Sequence, residues 1–154
     1  MITQESAKRE LAIARSLAEE PDIIAGLRTG SEKLILPILQ SAMEETDVVY
    51  AIALGPEGKV LAHTNVAETG KTYSDPYTLE TLQATRPGHR RLEIGDHPAM
   101  ELAYPVWDPD HDEAGEAFLL LGERDPKLRK RLGTLRIGLP LRESLATAAR
   151  ISTQ

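Results

Sequence analysis

The chain has 154 residues, with 24 acidic and 18 basic side chains and a formal net charge of −6. At this length one domain buries roughly 70% of its unfolded surface, so a core forms without staples. The acidic balance argues against a nucleic-acid backbone as partner, and six aromatic residues leave an aliphatic core with no wide platform for stacked bases.

The first segment reads as a helix. Ala7, Leu11, Ala14 and Ala18 recur at helical spacing and form one apolar stripe, with Lys8, Arg9, Arg15 and Glu19 opposite. Pro21 disfavours helix at Glu20 and ends this segment. Pro21 then opens a short helix over 22–28 that Gly30 closes. Ser31 is the expected N-cap of a third helix, with Leu34, Ile35, Ile38, Leu39 and Ala42 as its buried stripe. Pro37 lies inside it and predicts a kink or a late start.

The period then changes from helical to extended. Residues 48–54 form a short run rich in β-formers, and 59–63 a second, joined as a hairpin by Gly55-Pro56-Glu57-Gly58. Residues 65–73 read as loop. Ser74-Asp75-Pro76 starts a short helix over 77–84. Strands are expected at 90–94 and 99–107, then a polar loop over 108–115, an apolar run over 117–121 and a helical turn or two over 125–131. A last strand, 133–139, leads to a closing helix over 141–151. The order gives an α+β domain with an antiparallel sheet of about five strands, because most connections are too short for crossovers.

Several motifs are incomplete. Thr69-Gly70-Lys71-Thr72 contains the end of a phosphate loop, but Asn65 stands where the first glycine belongs and no helix opens at Lys71. Asp108-Pro109-Asp110-His111-Asp112-Glu113 begins like a calcium loop, yet Glu113 and Leu119 occupy its glycine and bidentate-glutamate slots. His63, His89, His97 and His111 have no metal spacing, no nucleophile elbow is present, and there is no cysteine. No metal, cofactor or catalytic residue is therefore expected, and a small hydrolase or transferase is the weakest alternative. Two basic clusters remain. Lys127, Arg129, Lys130 and Arg131 read as a solvated surface turn. Arg86, His89, Arg90 and Arg91 run into a strand, where alternation lets only one of Arg90 and Arg91 face a given pocket and grip a carboxylate.

The run over 17–27 with Glu19-Glu20-Pro21-Asp22, the hairpin over 48–64, Thr69-Gly70-Lys71, Ala103-Tyr104-Pro105-Val106-Trp107 and the strand from Leu132 to Leu141 together resemble the single Cache (PAS-like) sensor domains. These are extracytoplasmic ligand-binding domains of bacterial chemoreceptors, sensor histidine kinases and diguanylate cyclases. The resemblance covers nearly the whole chain. It implies one sensor domain over 1–154, with N-terminal helices at 3–45, sheet and pocket at 47–139 and an exit helix at 141–151. It also implies a long N-terminal helix on one face of the sheet that serves as a homodimer surface. Tethering to the membrane through segments outside this chain and a periplasmic location follow from the same resemblance.

In such domains the ligand lies between the sheet and the loop-plus-helix after the first hairpin, here residues 65–84. His63 matches a ligand-contacting histidine of citrate and dicarboxylate sensor kinases. Those carry an arginine three residues earlier, where this chain has Val60, so polycarboxylate recognition does not carry over. The expected ligand is a small organic anion, such as a monocarboxylate, read by His63, Arg91 or Arg90, with Tyr50, Tyr73, Tyr77 and Tyr104 as hydroxyl donors. Binding would move the exit helix. The rival reading is a cytosolic PAS-like or roadblock-like dimerisation or interaction module.

Overall fold

The structure is a computed structural model that describes residues 4–112 and 129–141. Three helices come first, α1 (Gln4–Ala18), α2 (Pro21–Thr29) and α3 (Glu32–Glu45). Strands β1 (Tyr50–Leu54) and β2 (Val60–His63) follow, then a 3-10 turn (Val66–Glu68), α4 (Pro76–Gln83), β3 (Gly88–Ile94), β4 (His97–Asp112) and β5 (Arg129–Pro140). All strand pairs are antiparallel, in the order β2-β1-β5-β4-β3. The α+β reading with five strands holds. The apolar run at 117–121, the helical stretch expected at 125–128 and the closing helix beyond 141 lie outside the described residues.

Alternation along the strands sends side chains to two unlike faces. On one face Ala51, Ala53, Leu102, Leu135, Ile137 and Leu139 meet Ala14, Leu17, Ile23, Leu27, Ile35 and Leu39 of the helices in the main core. Small alanines on β1 leave room for the helices to approach. Gly26 allows α2 and α3 to touch, since a Cβ there would lie 2.3 Å from Ile35 Cγ1. Gly30 ends α2 with a left-handed φ of 68°, a backbone state that favours glycine.

Four expectations are corrected. Leu11 is exposed, and the buried stripe of α1 is Ala14, Leu17 and Ala18, because only its C-terminal half packs in the core. Ser31 occupies the N-cap position of α3 but its side chain caps nothing, and α3 begins at Glu32 with Pro37 on its exposed side. Residues 108–112 are not loop. They extend β4, and Asp112 pairs with Arg129. Arg129 to Arg131 are likewise strand rather than helical turn. Arg129 stacks over Trp107 at 4.1 Å, and Arg131 is half-buried instead of solvated.

Candidate functional site

The opposite face of the sheet carries Tyr50, Ile52 and Leu54 from β1, Val60 and His63 from β2, Arg90 from β3, Glu101 from β4, and Thr134 and Arg136 from β5. Pairings such as Ile52↔His63, Ile52↔Arg136 and Arg90↔Glu101 put these residues in register. Residues 64–75 and α4 lie over this face. Tyr73 and Leu82 pack on Ile52, Leu54 and Val60 as a second, smaller core. The Gly70-Lys71 stretch is part of that cover. Gly70 N–H donates to Val60 C=O and Val60 N–H to Lys71 C=O, so it pairs with the edge of β2.

Helix α4 is tied down at both ends. Asp75 caps it, accepting from Thr78 N–H at 3.0 Å and Thr78 Oγ1 at 2.7 Å, bonds that hold its carboxyl below the usual range. Arg136 Nη1 donates to Thr78 Oγ1 at 2.7 Å. At the other end Arg131 donates to the carbonyls of Thr81 at 2.9 Å and Ala84 at 2.5 Å, and also to Thr134 Oγ1 and Gly133 C=O. A cation at a helix C-terminus also suits the helix dipole. Burial, with Arg129 nearby, lowers the Arg131 pKa to about 10, so it stays charged at neutral pH. Two arginines of β5, five positions apart, therefore anchor the helix that covers the face.

An ionic cluster lies beneath α4. Glu101 is 2% exposed and Arg136 4%, and Arg136 Nε donates to Glu101 Oε1 at 2.5 Å. Tyr50 donates its hydroxyl to Glu101 Oε2. Burial and that carboxylate push the Tyr50 pKa far above its ordinary value. Tyr50 lies flat against Gly138, where a Cβ would sit 2.1 Å from its ring. Arg90 lies over the Tyr77 ring at 4.1 Å, and its Nη2 is 3.7 Å from Glu101 Oε2, too long for a hydrogen bond. Arg90 Nε and the Tyr77 hydroxyl are buried donors without a hydrogen-bond partner among the described residues. Burial also raises the Tyr77 pKa.

His63 completes the face. Its ring stacks on Tyr50 with centroids 6.4 Å apart, and its Nδ1 accepts Asn65 N–H at 2.8 Å. That bond puts the ring proton on Nε2, and burial lowers the pKa, so the imidazole is neutral at physiological pH. Asn65 in turn caps the 3-10 turn. Tyr73 donates to Glu68 Oε1 at 2.6 Å. Burial first, then that bond, raises the Tyr73 pKa to about 12. Glu68 also pairs with Lys71.

Of the residues expected from sequence, Tyr50, Tyr73, Tyr77, His63 and Arg90 gather here. Arg91 and Tyr104 do not. Arg91 pairs with Met100, points to the helix-facing side and is exposed. Tyr104 packs against the main core. Glu101 and Arg136 were missed, although each stands between large apolar neighbours on its strand. A surface cleft of about 370 Å³ lies elsewhere, beside Leu27, Arg28, Asp108, Lys130 and Arg131. Arg28 there is engaged by Asp108 and by Asp110 at 2.7 Å, and those two carboxylates belong to the motif that began like a calcium loop. Among the described residues, no cluster could hold a metal ion.

An antiparallel five-stranded sheet, with helices on one face and a loop and short helix over a polar cluster on the other, defines the PAS-like class of sensing domains. The sequence matches the single Cache domain 3 family over residues 1–136, and the chain belongs to that family. The crystal structure of the E. coli DcuS sensor domain has the same fold, with a TM-score of 0.66 and 19% identity. That match covers 93% of this chain and 94% of that one. An extracellular ligand-binding receptor from Desulfohalobium retbaense aligns at a TM-score of 0.47 and 12% identity. It covers 82% of this chain and 24% of that one. Among curated proteins no relative matches the sequence. Among the described residues, no helix is long and apolar enough to cross a membrane.

Proposed function

We propose that this chain is the extracytoplasmic ligand-sensing domain of a transmembrane receptor and that it binds a small organic anion on the face beneath α4. The observation that carries this reading is the pair of buried donors, Arg90 Nε and the Tyr77 hydroxyl, with no hydrogen-bond partner among the described residues. Buried donors in native proteins are nearly always satisfied by protein or by ordered water, so a pair on one face can receive an acceptor from outside the chain. The neutral His63 offers Nε2–H as a third donor on the same face. An arginine fork suits a carboxylate better than a lysine would. The site residues of the proposal are Arg90, Tyr77, His63 and, as their support, Tyr50 and Tyr73.

Signalling would run through the anchors of α4. A ligand that favours one position of α4 would shift β5 through Arg136 and Arg131, and β5 leads to Leu141 and the exit segment. The equilibrium moves only as far as the two positions differ in affinity. The exposed Leu11 on α1 is consistent with a homodimer through the N-terminal helix. A periplasmic location and attachment through segments outside this chain complete the reading.

A thermal-shift screen of small acids, amino acids and amines tests it. An acid at 100 times its dissociation constant adds about 2.7 kcal/mol of stability. A shift with an acid that disappears in Arg90→Gln supports the proposal. A shift with an amine and none with any acid contradicts it.

A further inference from the structure

Glu101 places a negative charge in the middle of a face read as an anion site. Only two arginines, Arg90 and Arg136, reach this cluster among the described residues, and Glu101 offsets one of them. Its Oε1 is taken by Arg136 and its Oε2 by Tyr50. Arg136 is committed further through Thr78. Two further carboxylates near this face are already engaged. Glu68 is paired with Lys71, and the exposed Asp75 caps α4. Tyr50 cannot retreat toward the strand, because it already lies against Gly138. Of these two arginines, Arg90 keeps a buried N–H, at Nε, with no hydrogen-bond partner among the described residues.

Resting on the anion-binding reading, we infer that Glu101 is a specificity-determining residue that limits the site to acids with a single negative charge. One carboxylate is received by Arg90 and Tyr77. A second would meet the Glu101 carboxylate, with Arg136 and Tyr50 already engaged. Like charges brought together out of water repel strongly, and a fixed charge set against the wrong ligand is an economical source of discrimination.

Isothermal titration of the whole chain at pH 7.5 with succinate and with monomethyl succinate tests the charge rule, because the two acids have the same carbon backbone and differ by one charge. The wild type should bind the monoester at least about tenfold more tightly. In Glu101→Gln, nearly the same shape without the charge, the preference should fall to within about threefold or reverse. Glu101→Asp keeps the charge and should keep the preference. Equal wild-type affinities, or an unchanged preference in Glu101→Gln, overturn the inference while leaving anion binding intact. If wild type, Glu101→Gln and Glu101→Asp bind neither acid, nor propionate or benzoate, the anion reading itself falls. Should Glu101→Gln fail to fold, the wild-type comparison and the Asp variant still decide.

Discussion

Arg131→Met should loosen α4 more than any other part of the domain. The methionine keeps an apolar stem near Trp107, whose ring lies 5.2 Å from the Arg131 guanidinium carbon, but removes the fork. Four acceptors lose their donor: the carbonyls of Thr81, Ala84 and Gly133, and Thr134 Oγ1. Thr81 and Thr134 are buried, so water cannot readily replace the arginine there. Each such loss costs about 1 kcal/mol, with about 0.5 kcal/mol more from the helix dipole and a similar amount from the ring contact. The partial exposure of Arg131 holds the total near 3 kcal/mol. For a chain of this size that lowers Tm by about 6–12 °C. Urea unfolding measures the total, and amide hydrogen exchange locates it. Protection should fall first in residues 76–84. Arg131→Lys should recover only part, because a point charge cannot reach four acceptors. A loss under about 1 kcal/mol, within reach of ordinary surface substitutions, would refute the anchoring role, as would equal loss of protection in β1 and α4.

Three further outcomes follow from the same cluster. Arg136→Met should cost about 3–5 kcal/mol in chemical unfolding, since it strands a buried Glu101, and adding Glu101→Leu should restore much of that. A single variant no less stable than wild type would contradict the pairing. Gly138→Ala should destabilise by about 1–3 kcal/mol and displace Tyr50, read as a loss of the Tyr50–Glu101 contact in a crystal structure of the variant. The lowered pKa of His63 predicts that stability is full above about pH 6.5, where the unfolded imidazole is also neutral, and declines as pH falls toward the folded pKa. Glu68 and Asp75, both lowered, add their own losses only below about pH 4.5. In His63→Gln the slope of Tm between pH 5 and 6.5 should flatten, and an unchanged slope would assign it to another group.

The sequence disclosed the order of elements because periodicity, proline and glycine act locally. Pro21, Gly30 and the Asp75-Pro76 helix start fall where capping chemistry puts them. What it hid was set by distant partners. Residues 108–112 carry turn-forming Asp and Pro, yet pairing with β5 and the Arg28 ion pairs hold them as strand. Arg129 and Arg131 read as solvated because nothing nearby in sequence reveals the Trp107 ring. The site was legible in part. Alternation limits a pocket to one of Arg90 and Arg91, but only the register with Glu101 and Met100 says which. Glu101 and Arg136 stand at alternate strand positions that are usually solvated. Their burial follows from α4 lying across them, a tertiary fact with no local signature.

In the proposed complex an organic anion would lie against Arg90 beneath α4. A chemical-shift map of the 15N-labelled chain titrated with propionate, including the arginine Nε–H signals, tests it most directly. Saturable shifts are expected at Arg90 Nε–H, at the backbone of Asn65 and across residues 76–84, with Arg91 unmoved. Shifts confined to the helix-facing side, or to the cleft beside Arg28 and Lys130, would contradict it.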